Sequence, residues 1–264
     1  MIKLSVNVNK VATLRNSRGG TVPSVIDAVH VCVTAGAPGI TVHPRADQRH
    51  ITPEDVRAVA AALRESAPGV EFNVEGDPRP DLLDLVAEVR PTQCTLVPVV
   101  PGEITSQAGW QPASAKATAG KPSATATAGE PDYMSVRIPD VVRRLHAHDT
   151  RVSLFVDAQP DAIRWAASTG ADRIELYTEP FARAFEHGAE SGRHSFAAFV
   201  AAAELAHSLG LGINAGHDLD LANLAMFREL PFLDEVSIGH AIISRAVFVG
   251  LATVVREYLA VLGV

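Results

Sequence analysis

The chain has 264 residues, is 47% hydrophobic and carries a formal net charge of −7; it can bury a large core in one big or two small domains, and with no long basic face it is not expected to bind nucleic acid. Its two cysteines, Cys32 and Cys94, form no CxxC and no disulfide framework, and they read as reduced core residues. The stretch MIKLSVNVNK turns polar too soon for a signal peptide and no apolar run approaches transmembrane length, so the expectation is a soluble cytoplasmic protein.

Short β-rich runs alternate with longer helical patterns. In chain order, strands are predicted over residues 3–7, 39–42, 70–74, 93–97, 151–156, 173–176, 212–214 and 235–238. Their nearly continuous apolar character fits parallel strands covered on both faces. A helix over 53–65 opens on Thr52 as a cap, followed by Pro53, Glu54 and Asp55, all suited to a helix N-terminus. Another over 195–209 sets Phe196, Phe199, Val200, Ala203 and Ala206 on one face and stops at Gly210. Helices over 220–229 and 241–262 complete the set. Eight strand-then-helix units in a chain of this size predict an α/β fold, a (β/α)8 TIM barrel forming a single domain over 1–264. The alternative, a doubly wound open sheet, needs no eighth unit.

Residues 107–131, QAGWQPASAKATAGKPSATATAGEP, break the rhythm as a low-complexity insertion after the fourth strand. With little to bury, the segment reads as an insertion of no functional consequence, and the nearer residues 98–106 are the better candidates for part of a lid.

Chemistry in such barrels sits at the C-terminal strand ends. Strand one runs into Asn7, Asn9 and Lys10, with Arg15 and Arg18 beyond; strand two into His43, Arg45 and His50; strand three into Glu75; the loop after strand four offers Thr105. Asp157 follows strand five, Glu175, Tyr177 and Thr178 end strand six, and strands seven and eight run into Asn214-Ala215-Gly216-His217-Asp218 and Gly239-His240. Of the ten histidines, His43, His50, His217 and His240 fall on this rim, a concentration that points to chemistry. The two Gly-His turns fit a phosphate site, because glycine lets a backbone N–H approach an oxyanion closely; tight turns with capping histidines are the structural alternative. His43, His50, His217 and Glu75 could suit zinc, but no HxH or HExxH spacing occurs, and Arg15, Arg18 and Arg45 favour an anion over a dication.

The stretches NVNKVATLRNSRGG, GITVHPRADQRHIT, CTLVP followed by EIT, VSLFVDA, RIELYT, GINAGHDL and VSIGHAIISRA together resemble the pyridoxine 5'-phosphate synthase family. They occur in order over nearly the whole chain except 107–131. The resemblance implies a barrel that joins 1-deoxy-D-xylulose 5-phosphate to 3-amino-2-oxopropyl phosphate, giving pyridoxine 5'-phosphate, inorganic phosphate and water. It implies no metal, no organic cofactor and self-association into a homo-octamer built from dimers. On this resemblance His43 and Glu75 match proton acceptors, His217 a proton donor, and Glu175 a residue that steadies the transition state. Arg45, His50 and Thr105 match the grip on the deoxyxylulose phosphate; Asn7, Arg18, Gly239 and His240 match contacts to the amino-oxopropyl phosphate.

The chain departs from the family pattern at Asn9-Lys10, where the pattern has Asp-His, at Asp218, where it has Gly, and at Pro44, where it has Leu. Asn9, Lys10 and Asp218 therefore read as substrate-binding positions of a retuned pocket. Two rival readings remain: a Schiff-base aldolase with Lys10 as nucleophile, and a non-catalytic sensor of a phosphorylated ligand on an inherited barrel. The acid–base set His43, Glu75 and His217 argues against the sensor, which needs cations but not proton carriers.

Overall fold

The computed structural model describes residues 1–99, 106, 108–110 and 137–264; most of the 107–131 insertion, and Thr105, lie outside the described residues. Eight parallel strands close in sequence order into a barrel: β1 (Lys3–Asn7), β2 (Gly39–Val42), β3 (Glu71–Gly76), β4 (Gln93–Leu96), β5 (Arg151–Val156), β6 (Arg173–Tyr177), β7 (Gly212–Gly216) and β8 (Leu233–Ile238). The described helices are α1 (Asn9–Asn16), α2 (Val25–Thr34), α3 (Pro53–Ser66), α4 (Pro80–Val89), α5 (Ile138–His146), α6 (Pro160–Ser168), α7 (Glu179–Glu186), α8 (Ala189–Ser208), α9 (Leu221–Phe227), α10 (His240–Val249) and α11 (Leu251–Leu262). Closure through β1 and β8, with Ser5 opposite Ser237, disposes of the open-sheet alternative.

Local sequence explains the helix starts. Thr52 and Asp55 form a reciprocal capping box on either side of Pro53, satisfying two otherwise orphaned N–H groups. Asp220 caps α9 in the same way with Asn223. The predicted helix over 195–209 begins earlier, at Ala189, and its Phe199 packs with Phe181 and Phe227. The predicted helix over 241–262 is two helices, because Gly250 sits at φ 87° between them, a backbone conformation that ends α10.

The strands differ from the expectation in one instructive way. They alternate. Leu4, Val6, Ile40, Val42, Val74, Leu96, Leu154, Ile174 and Val236 are fully buried in the apolar core they share with the helices. The residues between them point into the bore, which is polar: Gln93 of β4 accepts a hydrogen bond from Asn214 of β7 at 3.4 Å across the barrel, and Ser5, Thr41, Asn73 and Thr95 form a hydrogen-bonded belt. At the N-terminal end Glu71 is held by Lys3 and Arg151. The near-continuous apolar reading was therefore too coarse. Both faces are buried, but one is buried in polar company.

At the other end, the described part of the loop after β4 is tied to the barrel. Ser106 Oγ donates to the Pro98 carbonyl at 3.1 Å, and Trp110 donates from its backbone to Phe155 and from Nε1 to Leu96, at 2.8 and 2.9 Å.

Candidate active site

The C-terminal mouth gathers most of the residues singled out from the sequence. His43 follows β2 directly, and its backbone N–H donates to Asn9 Oδ1 at 2.9 Å. Its ring Nδ1 lies 3.7 Å from Glu75 Oε2, and both side chains are almost wholly buried. Asn7 donates from Nδ2 to the same carboxylate oxygen at 3.4 Å. Burial, joined by the charge of Glu235, pushes the Glu75 carboxyl up to about 8 although a hydrogen bond from Ser237 opposes this. Burial, helped by the charges of Arg45 and Arg79, holds His43 well below the usual imidazole range. Near neutral pH the pair thus begins as neutral imidazole beside a protonated carboxyl, with one mobile proton between them.

His50 sits 6.2 Å from His43, ring to ring. Its Nδ1 accepts the Ile51 N–H at 2.9 Å, which leaves the proton on Nε2. Burial, Arg45 and Lys10 push its pKa down to about 4. His50 is therefore a neutral donor rather than a cation. Arg45 is buried beside it, whereas Gln48 and Arg49 are exposed.

Arg15 does not serve the site as the sequence suggested. It forms a two-pronged pair with Asp55, at 2.6 and 2.8 Å, and also donates to the His50 carbonyl. It ties α1 to the cap of α3. Lys10 and Arg18 are exposed; neither is brought against the histidines by a described hydrogen bond or ion pair.

Glu175 lies inside the barrel on β6, 5% exposed, with Oε2 lacking a hydrogen-bond partner among the described residues. Burial first, then Glu75 and Glu235, push its carboxyl well above the usual range. Gly216 makes room for it: a Cβ there would come within 2.6 Å of Glu175 Oε1. The Gly-His turn of β7 thus needs its glycine at least to admit the Glu175 side chain. Gly239 stands close to Asn7, where a Cβ would come within 3.0 Å, and caps α10, whose first residue is His240.

His217 and Asp218 both have positive φ, 90° and 58°, a strained state for residues with side chains. The turn is over-determined. Thr178 Oγ1 donates to the carbonyls of Gly216 and His217, and Asn223 donates to that of Asp218 at 3.1 Å. The His217 ring packs on Tyr177 and Phe155, at 5.1 and 6.5 Å between centroids. Asp218 Oδ2 lies 3.5 Å from His217 Nδ1, and that contact helps hold the Asp218 carboxyl below its usual range. Asp218 therefore sets a negative charge beside His217, while glycine would fit its backbone conformation without strain.

Sequence reasoning gave no role to Glu235, Ser237 or Arg79. For the first two the available signal was period-two alternation, Glu235-x-Ser237-x-Gly239, placing all three on the bore side. Among the described residues no group of three or more His, Cys, Asp or Glu is arranged to hold a metal ion. No described helix is long and apolar enough to cross a membrane.

Residues 4–263 match the family described as pyridoxal phosphate biosynthesis protein PdxJ. The chain is 47% identical over 263 residues to the pyridoxine 5'-phosphate synthase of Christiangramia forsetii, covering 99% of this chain and all of that one. It is 46% identical over 259 residues to the synthase of Bacteroides thetaiotaomicron, covering 98% of each. Among solved structures, phosphoribosyl anthranilate isomerase from Thermus thermophilus aligns with a TM-score of 0.57 at 15% identity, over 99% of this chain and 98% of that one, a likeness of fold alone. The chain belongs to the PdxJ family of pyridoxal phosphate biosynthesis proteins.

Proposed function

We propose that the chain is a pyridoxine 5'-phosphate synthase, condensing 3-amino-2-oxopropyl phosphate with 1-deoxy-D-xylulose 5-phosphate to pyridoxine 5'-phosphate, inorganic phosphate and water. The observation that carries this reading is the buried His43–Glu75 pair, 3.7 Å apart at the barrel mouth of a chain 46–47% identical to named synthases. The amine arrives on the substrate, so condensation with a ketone needs proton traffic rather than an enzyme nucleophile. His43, neutral, accepts a proton; Glu75 accepts once it has released its own; His217, beside the Asp218 carboxylate, donates. Glu175 stays uncharged until positive charge develops nearby, where ionising it would steady the transition state.

Arg45 and the neutral Nε2–H of His50, with Thr105, grip the deoxyxylulose phosphate. Asn7, Arg18, Gly239 and His240, at the start of α10, meet the amino-oxopropyl phosphate, where free helix N–H groups favour an anion. Asn9, Lys10 and Asp218 tune this pocket. The reaction proceeds without metal or organic cofactor, in a single-domain cytoplasmic protein that assembles as an octamer. Lys10 is exposed, which weighs against an aldolase, whose Schiff-base lysine needs desolvation or a cationic neighbour to become nucleophilic.

Metal-stripped protein supplied with both phosphates should release pyridoxine 5'-phosphate and inorganic phosphate in equal amounts. Ligand binding without turnover would establish the sensor instead, and turnover restored by added metal would overturn the acid–base reading.

A further inference from the structure

Arg79 lies just after β3, in the position that caps α4, yet its side chain caps nothing. The guanidinium turns back beneath the active-site mouth and uses all three nitrogens. Nη1 donates to Asp77 Oδ1 at 2.6 Å, Nε to Asp81 Oδ2 at 3.0 Å, and Nη2 to the Pro44 carbonyl at 2.5 Å. Arg79 is 8% exposed and Asp77 3%. A buried ion pair of this kind is a poor source of stability, because desolvation cancels most of the attraction. Its geometry is informative instead. Pro44 stands between His43 and Arg45, and its carbonyl belongs to the peptide that leads into Arg45. The same segment is held from the opposite side by Asn9, which accepts the His43 N–H at 2.9 Å. Three residues that must present one imidazole and one guanidinium to the mouth are thus fixed at two backbone points.

We propose that Arg79, braced by Asp77, is a positioning residue: by gripping the Pro44 carbonyl it holds His43 and Arg45 in the one geometry that serves proton transfer and phosphate binding together. The roles of His43 and Arg45 in this statement rest on the synthase reading above. A planar three-nitrogen fork suits the task and a lysine ammonium does not, since a point charge cannot face Asp77, Asp81 and Pro44 in fixed directions. Burial chiefly keeps the His43 ring neutral, and the charges of Arg45 and Arg79 add to it, against that of Asp47.

Arg79→Lys keeps the charge and loses the fork, so it is the informative variant. Its kcat should fall roughly 10- to 100-fold, the scale expected when reacting groups are displaced by about 1 Å. Its KM for 1-deoxy-D-xylulose 5-phosphate should rise, and its KM for 3-amino-2-oxopropyl phosphate should stay within about twofold. The ring nitrogen NMR signals of His43, assigned by their loss in His43→Ala, should shift in the ligand-free variant.

Arg79→Gln leaves Asp77 buried without its partner and endangers the fold, so the second variant is Asp77→Leu/Arg79→Met, which removes both charges. It should melt close to wild type and still show the kinetic defect. Wild-type kcat and KM per folded molecule in either variant, with unmoved His43 signals, would overturn the proposal and leave Arg79 a packing residue. If wild-type protein makes no pyridoxine 5'-phosphate, the synthase reading fails, and the His43 signals alone still decide whether Arg79 positions that ring.

Discussion

The two faces of each strand do opposite work. Outward, Val74, Ile174 and Val236 meet the helices in a continuous apolar jacket with no exposed area. Inward, the same strands carry Glu75, Glu175 and Glu235 into a bore where burial pushes all three carboxyls above their ordinary range, helped in each case by the charge of a neighbouring glutamate. The jacket supplies stability, since apolar burial is the main favourable contribution to folding. The bore spends part of it to hold carboxyls protonated near neutral pH, where they can exchange protons with a substrate. A barrel whose interior is itself polar can therefore bring acid–base groups to its mouth from several strands without a deep pocket in the loops.

This contrast can be broken at either face. The largest expected effect is at the bore's upper end: Glu75→Gln should lower kcat by about 10²- to 10⁴-fold, the usual worth of a positioned proton carrier, with melting unchanged near pH 4 and raised, not lowered, near neutral pH. Intact turnover there would remove Glu75 from the mechanism. In the jacket, Leu145 of α5 is fully buried, so Leu145→Ala should cost about 2–5 kcal/mol in denaturant unfolding while kcat of the folded protein holds. A kinetic loss without destabilisation would show that the two faces are not separable.

Glu235 offers a finer test through pH. Its folded carboxyl titrates at about 7, above about 4.3 in the unfolded chain. The folded state therefore keeps a proton that the unfolded state has lost. Stability falls as pH rises from about 4.3, and the loss is complete above 7. Glu235→Gln should leave melting unchanged near pH 4 and gain, relative to wild type, on the order of 3 kcal/mol by pH 8. A difference that stays constant with pH would mean that Glu235 is not a buried titrating group. The smallest effect is expected at Asp218, whose backbone welcomes glycine. Asp218→Gly should fold normally and lower kcat about three- to tenfold by removing the carboxylate beside His217; an unchanged kcat would make that charge incidental.

How far the sequence foretold this molecule depends on the range of the interaction involved. Strand-then-helix alternation is local, and it led to the correct barrel; Thr52 and Pro53 marked the start of α3 by their chemistry alone. Residues at strand ends, such as His43 and His217, could be placed at the mouth once the barrel was inferred. The failures are long-range. Arg15 looked like a phosphate donor because Asp55, forty residues away, is invisible to any local pattern. Glu235 looked like a strand boundary because its burial arises when β8 closes against β1 and β7. β7 was read short because Ala215 and Gly216 are poor strand formers, overridden by ladder bonds to β6 and β8. The pKa of Glu75 could not be foreseen from neighbouring cations in the sequence, because burial and the charge of Glu235 decide it.

The protonation of Glu75 is the point on which the acid–base account turns. Isotope-edited infrared titration of the glutamate carboxyls, with Glu75→Gln as the subtraction, measures it directly. The account predicts a protonated carboxyl band, absent in the variant, that disappears with a midpoint near 8, in step with a rising limb in kcat/KM as Glu75 becomes able to accept a proton. A Glu75 already ionised at about pH 6, in the ordinary carboxylate manner, would contradict it.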